Sequence, residues 1–270
     1  MVYMWIDRFF DKKSILFPLI INITLFLVIF TVFMMAFAEE SNANVPVSLP
    51  NIKVVKVLIF AGDGAAPNSI NGLVSSIDEI NHKNLVKNTI FVYSITDQIN
   101  NSTLSSQDVL IIAGGDFQTY LANPNIKSTD IKKFVSGGKG FVGICAGAYA
   151  ASSYVDGYQT GWGIAPHVYS KFYNFDGQLP VSFTSNGQDV LNFSSTKNLY
   201  VANGPSLYKE GSYSPLASFN NTMTPHNGYA AILDDTYGSG RVILSSPHPE
   251  LYPREPVLLA NMIVWASGKR

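Results

Sequence analysis

Gly140-Phe141-Val142-Gly143-Ile144-Cys145-Ala146-Gly147-Ala148-Tyr149 is an apolar run that passes through Gly-x-Cys-x-Gly into a string of small residues. A strand that enters a tight turn of this composition and leaves as a helix lifts one side chain to the strand's end, the nucleophile-elbow arrangement. Small neighbours are required because such a turn is crowded and strained. The helix start that follows presents backbone N–H groups and a positive dipole end, which favour a thiolate over a thiol. Cys145, the only cysteine in the chain, is therefore a candidate nucleophile. A lone cysteine at a strand end is otherwise read as a small buried hydrophobe, and a second motif decides between the two.

Downstream, Gly240-Arg241-Val242-Ile243-Leu244-Ser245-Ser246-Pro247-His248-Pro249-Glu250 is a glycine-led strand ending in His-Pro-Glu. Pro249 disfavours helix at His248 and fixes its own φ, so an extended tripeptide is expected, with His248 and Glu250 facing one pocket. A carboxylate beside an imidazole fixes its tautomer and stabilises the imidazolium formed when the ring takes a proton. Cys145, His248 and Glu250 then read as nucleophile, base and orienter.

Taken together, the two motifs resemble those of the class I glutamine amidotransferase-like superfamily. Gly-Ile-Cys-Ala-Gly-Ala-Tyr, the earlier Ala113-Gly114-Gly115-Asp116 and the Ser-Pro-His-Pro-Glu ending are most similar to the biotin-protein ligase N-terminal domain, over roughly residues 53–268. The resemblance implies an α/β flavodoxin-like three-layer sandwich with a mostly parallel central sheet and a Cys-His-Glu triad at Cys145, His248 and Glu250. It also implies an oxyanion site made by the backbone N–H groups of Gly115 and Ala146. Amidotransferases that use glutamine usually carry glutamine four residues after the cysteine, where this chain has Tyr149. The expected substrate is accordingly a small-molecule or peptide amide other than glutamine, hydrolysed through a thioester with no cofactor. A binding or scaffolding module that keeps the triad without turnover is the alternative. No ammonia-accepting synthetase or biotin-ligase catalytic domain is read in the sequence.

Around these motifs the chain alternates strands (residues 53–60, 89–95, 108–113 and 141–144) with helices (69–81, 117–122 and 129–136), as an α/β domain does. In open parallel sheets ligands bind beyond the carboxyl ends of the strands. Gly62-Asp63-Gly64, Gly114-Gly115-Asp116, Cys145 and His248 all fall at such ends, so Gly62, Asp63, Gly64, Gly114 and Asp116 are candidate pocket residues. The Gly62 loop lacks the spacing and lysine of a phosphate loop and reads first as a tight turn. Between residues 153 and 227 helix signals fade into β-rich material, and Tyr149, Tyr154, Trp162, Tyr169, Asn203 and Tyr229 are candidates for the substrate-facing wall. A final hairpin is expected from residues 230–234 and 241–246 about a turn at 237–240, then a closing helix over 258–267. His82, His167 and His226 lack neighbouring ligands at metal spacing, so no metal site is read.

Composition frames the remainder. The chain has 270 residues, 47% of them hydrophobic and 14% charged, with net charge −1, and it carries no basic patch of the kind that binds nucleic acid. Residues 15–38 contain no charge, a run long enough at about 1.5 Å per residue to cross a hydrocarbon core of about 30 Å. Arg8, Lys12 and Lys13 precede it and Glu39-Glu40 follow. The positive-inside rule then gives a cytoplasmic N-terminus (1–14), a transmembrane anchor or signal peptide (15–38), a linker (39–52) and an amidotransferase-like domain (53–270) outside the cytoplasm. Ala36-Phe37-Ala38 resembles a signal-peptidase site, after which the domain would be secreted. The oligomeric state is not legible in the sequence.

Overall fold

The computed structural model describes residues 52–269 apart from Met223. The expected cytoplasmic N-terminus, the anchor or signal segment at 15–38 with its Ala38 cleavage site, and the linker up to residue 51 lie outside the described residues. Among the described residues no helix is long and apolar enough to cross a membrane.

The first half of the domain alternates β1 (Lys53–Phe60), α1 (Pro67–His82), β2 (Thr89–Thr96), α2 (Asn101–Leu104), β3 (Val109–Ile112), α3 (Phe117–Ala122), α4 (Ser128–Ser136), β4 (Gly140–Ile144) and α5 (Ala146–Ala151). A largely β segment follows: β5 (Ser152–Asp156), β6 (Gln159–Thr160), β7 (Ala165–Lys171), β8 (Asp176–Phe183), α6 (Ser185–Leu191), β9 (Lys197–Ala202), β10 (Ser206–Tyr208) and β11 (Ala217–Phe219). The hairpin β12 (Ala230–Tyr237) and β13 (Gly240–Ser245) and the helix α7 (Pro256–Ala266) close the chain.

The strands form one sheet in the order β2-β1-β3-β4-β13-β12-β10-β7-β5-β6, with β11 joining β12 to β8 and β8 to β9. From β2 to β13 every pairing is parallel. These strands alternate which face they address, because successive side chains of a strand point to opposite sides. Val55, Val57, Ile59, Val142, Ile144 and Ile243 pack with α1 and α7 on one face. Leu58, Phe60, Leu110, Phe141, Val242 and Leu244 pack with α3, α4 and α5 on the other. Strands buried on both faces explain why the sequence here reads as unbroken apolar runs.

Register sets the position of the site. Phe60 pairs with Ile112, Ile112 with Gly143, and Ile144 with Ser245, so four strands end at one edge. The loops carrying Gly62, Gly114, Cys145 and His248 leave from that edge together.

Three local expectations are corrected. The segment between residues 153 and 227 is not free of helix: α6 forms there, its N-terminus capped by Thr184 Oγ1, which accepts from Gly187 N–H at 3.0 Å. Its helical signal is masked by Gly187, which is required because a side chain at that position would meet the Leu216 carbonyl. The final hairpin is longer than expected, pairing on to Tyr237 and Gly240. Only Gly238-Ser239 is left as a loop, and the positive φ of Gly238 (61°) permits the tight reversal. The third is His-Pro-Glu, which turns where an extended path is expected.

The elbow itself is held by neighbouring backbone. Cys145 N–H donates to Ser245 O of β13 at 2.8 Å, and Gly147 N–H to Ala113 O beyond β3 at 3.2 Å. A methyl group on Gly147 would run into the Ile112 carbonyl. Gly147→Ala is expected to force α5 away from the sheet and to cost about 1–3 kcal/mol. Chemical denaturation of the variant checks this, and an unchanged midpoint would contradict it.

Candidate active site

Cys145 adopts φ 51° and ψ −105°, a conformation that residues bearing a Cβ adopt only under constraint. The constraint is the pair of backbone bonds to β13 and the β3 loop described above, so the strain is held by three strands of the sheet. The cysteine is 5% exposed, at the floor of the strand edge. Its thiol donates to Ala202 O at 3.4 Å.

His248 arrives from the loop after β13 and is fixed through its own backbone, N–H to Tyr200 O at 2.8 Å. The sequence reading of an extended His-Pro-Glu is corrected here: Leu251 N–H donates back to His248 O at 3.3 Å, so the segment turns. Proline at the second position of a β-turn is favoured because its fixed φ suits that position. The turn still brings the two side chains together, with His248 Nδ1–H donating to Glu250 Oε1 at 2.8 Å. The other ring nitrogen, Nε2, is buried and has no hydrogen-bond partner among the described residues.

Glu250 has no exposed surface. Besides His248, its Oε1 accepts from Ser69 Oγ–H at 2.6 Å, and Ser69 Oγ in turn accepts from Gly114 N–H at 3.0 Å. A relay of three bonds thus joins the β3 loop, the start of α1, the carboxylate and the imidazole. Ser69 was not singled out in the sequence. It lies 181 residues from Glu250, and nothing in Pro67-Asn68-Ser69 distinguishes it from an ordinary helix start.

Burial by itself pushes the imidazole toward its neutral form. The charges of Glu250 and of Cys145 outweigh that cost and raise the His248 pKa from 6.5 to about 10. The same charges favour the imidazolium that forms when the ring takes a proton from the thiol.

Two cavities meet at the cysteine. The smaller, about 150 Å³, contains Ser69, Gly114, Tyr200, Ala202, His248 and Leu251 along its wall. The larger, about 310 Å³, is walled by Asp116, Phe117, Tyr149, Tyr158, Phe172 and Asn203. Gly115, Cys145 and Ala202 line both. Ala146 lines the larger cavity, and neither its N–H nor that of Gly115 is hydrogen-bonded among the described residues. Tyr149 O–H donates to Asn203 O at 3.0 Å, tying the elbow helix to the loop after β9.

Of the pocket residues read from sequence, Gly114, Asp116, Tyr149 and Asn203 line these cavities. Gly62, Asp63 and Gly64 stand behind the wall. Gly64 O accepts from Asp116 N–H at 2.8 Å, and Asp63 O accepts from Asn123 Nδ2–H at 2.9 Å. Trp162 is buried beside Tyr120, Tyr169 stacks on Tyr208, and Tyr229 faces Lys171, so these aromatics, like Tyr154, line neither cavity. The wall residues missed by the sequence reading are Ala66, Asn68, Ser69, Phe117, Gln118, Tyr158, Phe172, Tyr200, Ala202 and Leu251. Phe117 and Ala202 each adjoin a candidate, the only signal that pointed to them. Among the described residues no group of three or more His, Cys, Asp or Glu side chains is placed to hold a metal ion.

Residues 55–163 match the family model described as biotin-protein ligase, N terminal. That match spans β1 to the segment after β6 and includes Cys145, while His248 and Glu250 lie beyond it. Among solved structures, the chain is similar to a thua-like protein from Bacteroides uniformis ATCC 8492, with 17% identity, TM-score 0.54, and coverage of 83% of this chain and 96% of that one. It is similar also to a beta-galactosidase from Rahnella sp. R3, with 13% identity and TM-score 0.54 over 80% of this chain. The chain spans 31% of the length of that beta-galactosidase. A glutamine amidotransferase from Thermotoga maritima aligns over 73% of this chain and 76% of its own, with 16% identity and TM-score 0.48. At these identities the likeness is one of fold. No curated protein matches the sequence.

The electrostatics of the site give a pH prediction. A histidine whose folded pKa is raised contributes stability in full below its unfolded value, and that contribution is lost as pH rises through the folded value. The window here runs from 6.5 to about 10. In Glu250→Gln the imidazole titration, followed by NMR, is expected to move down, and the stability advantage of the native protein over the variant is expected to shrink as pH rises through that window. An advantage that grows with pH would contradict the assignment.

Proposed function

We propose that this domain is a cysteine-dependent hydrolase of an amide other than glutamine. The observation that carries the reading is the divided imidazole: Nδ1 is committed to the buried Glu250, while Nε2 is buried and unpaired in the cavity that holds Cys145.

In this reading the thiol turns from Ala202 O and passes its proton to His248 Nε2. Sγ attacks the amide carbon, and the carbonyl oxygen becomes an oxyanion that accepts from the free N–H groups of Gly115 and Ala146. Collapse breaks the C–N bond as the imidazolium gives its proton to the leaving amine, leaving a thioester on Cys145. Water, deprotonated by His248, attacks the thioester and releases the carboxylic acid and the free thiol. Glu250, held by Ser69, keeps the ring in the one tautomer that serves both steps.

Tyr149 supports excluding glutamine. It stands where glutamine-using relatives carry a glutamine, and its hydroxyl is already spent on Asn203. Residues 15–38, uncharged throughout, support placing the domain at a membrane, outside the cytoplasm by the distribution of flanking charge.

One observation favours a second reading, a binding module without turnover: the resting thiol is bonded to Ala202 O. Intact-mass analysis of the full chain treated with a mild acylating electrophile at pH 7 separates the two. The hydrolase reading predicts a single acyl adduct at Cys145 that forms at least about a hundredfold more slowly in His248→Ala. Equal rates in both proteins would leave an ordinary thiol and favour the binding module.

A further inference from the structure

The two cavities at Cys145 divide the substrate between them, on the hydrolase reading above. His248, which protonates the leaving amine, lines the smaller one. Ala146, an oxyanion donor, lines only the larger, which therefore receives the acyl part.

The larger cavity has an unusual wall. Phe117 stacks on Tyr149 with ring centroids 4.9 Å apart, Tyr149 is 6.2 Å from Phe172, Phe172 is 5.6 Å from Tyr158, and Tyr158 is 5.7 Å from Phe117, closing a circuit of four rings. Tyr158 meets Phe117 at 81° and Phe172 at 63°, so the rings do not collapse into one flat stack. Tyr158 is 46% exposed, open to an incoming ligand.

Charge on this wall has one sign. Among the described residues, Asp116 is the only charged one lining the cavity, and no lysine or arginine does. Its Oδ1 caps α3, accepting from the N–H groups of Gln118 and Thr119 at 2.9 and 3.0 Å. It forms no ion pair among the described residues. Among the described residues, cations sit over the rings of Tyr208, Tyr229, Tyr237, Phe193 and Trp265, and over none of these four. A ligand carboxylate would find no counter-charge here, whereas a cation would find π faces and a carboxylate. A cavity of about 310 Å³ admits a side-chain-sized group.

We propose that the larger cavity binds the acyl part of the substrate and that this part carries a compact alkylammonium cation. The aromatic circuit supplies the π faces and Asp116 the opposing charge. This assigns a substrate class that a glutamine-type site, built to hold an α-carboxylate, would refuse.

The inference rests on the hydrolase reading, and the test is arranged to separate them. The p-nitrophenyl ester of γ-(trimethylammonio)butyric acid is compared with its uncharged isostere, in which carbon replaces the ammonium nitrogen, and with the mono-ester of glutaric acid. The full chain in non-ionic detergent is used, and p-nitrophenolate release is followed. The cationic ester is expected to acylate Cys145 about tenfold faster than its isostere, with the glutarate ester slowest. In Asp116→Asn, which keeps a good helix cap, the preference is expected to fall to about threefold, since the coulombic attraction is lost with the charge while the π faces remain. Separately, butyltrimethylammonium binding to Cys145→Ser is measured by calorimetry. Binding that weakens in the Cys145→Ser, Asp116→Asn double variant upholds the cation site even if no ester acylates the protein, in which case only the hydrolase reading falls. Acylation without preference for the cationic ester, or no binding of butyltrimethylammonium to Cys145→Ser, overturns the cation site and leaves the hydrolase reading intact.

Discussion

A carboxylate with no exposed surface, Glu250, is the interaction on which the rest of the site depends. Taking such a charge out of water costs several kcal/mol unless partners replace the lost hydration. Here the partners come from three places in the chain: the imidazole of His248 two residues before, the hydroxyl of Ser69 at the start of α1, and, through that hydroxyl, the N–H of Gly114 after β3. Removing Ser69 or His248 leaves the carboxylate with a single partner, because its Oε2 has none among the described residues. The turn after β13, the first helix and the β3 loop are therefore fixed relative to one another by electrostatics as well as by packing. Glycine permits the approach, since a side chain at Gly72 of α1 would strike the backbone of Glu250, and one at Gly114 would strike the ring of His248.

The elbow and this relay are built on the same sheet edge and answer different needs. The parallel strands supply rigid ends, and the glycines around Cys145 let those ends close on the strained turn without a gap. The segment from β5 to β11 contributes what the parallel half lacks, a wall. Tyr158, Phe172, Ala202 and Asn203 come from it, and Tyr149 ties it to the elbow through the Asn203 carbonyl. Tyr149 thus serves as both a strut and an aromatic surface of the cavity.

The fold was legible where physical signals are local. Unbroken apolar runs between turn residues marked β1, β3 and β4, and the small residues flanking Cys145 marked the elbow, because crowding acts on immediate neighbours. His248 and Glu250 were found together for the same reason, being two apart, although the chain turns between them where an extended path was expected. Ser69 was invisible because its partner is 181 residues away and a helix start tolerates many residues. Phe117, Tyr158 and Phe172 were missed on similar grounds: aromatic content signals burial, and only the folded chain decides which aromatics pack among themselves and which line a cavity. Helix α6 was lost behind a glycine that tertiary packing demands.

The central claim is that the strained elbow, the free N–H groups of Gly115 and Ala146 and the His248–Glu250 pair act on one acyl carbon. A crystal structure of the chain with Cys145 captured by a small aldehyde tests this directly. The account predicts a hemithioacetal whose oxygen accepts from both N–H groups at about 2.7–3.1 Å, with His248 Nε2 on the opposite side and its Nδ1 still bonded to Glu250. A hemithioacetal oxygen turned toward solvent, with both N–H groups unpaired, would contradict it.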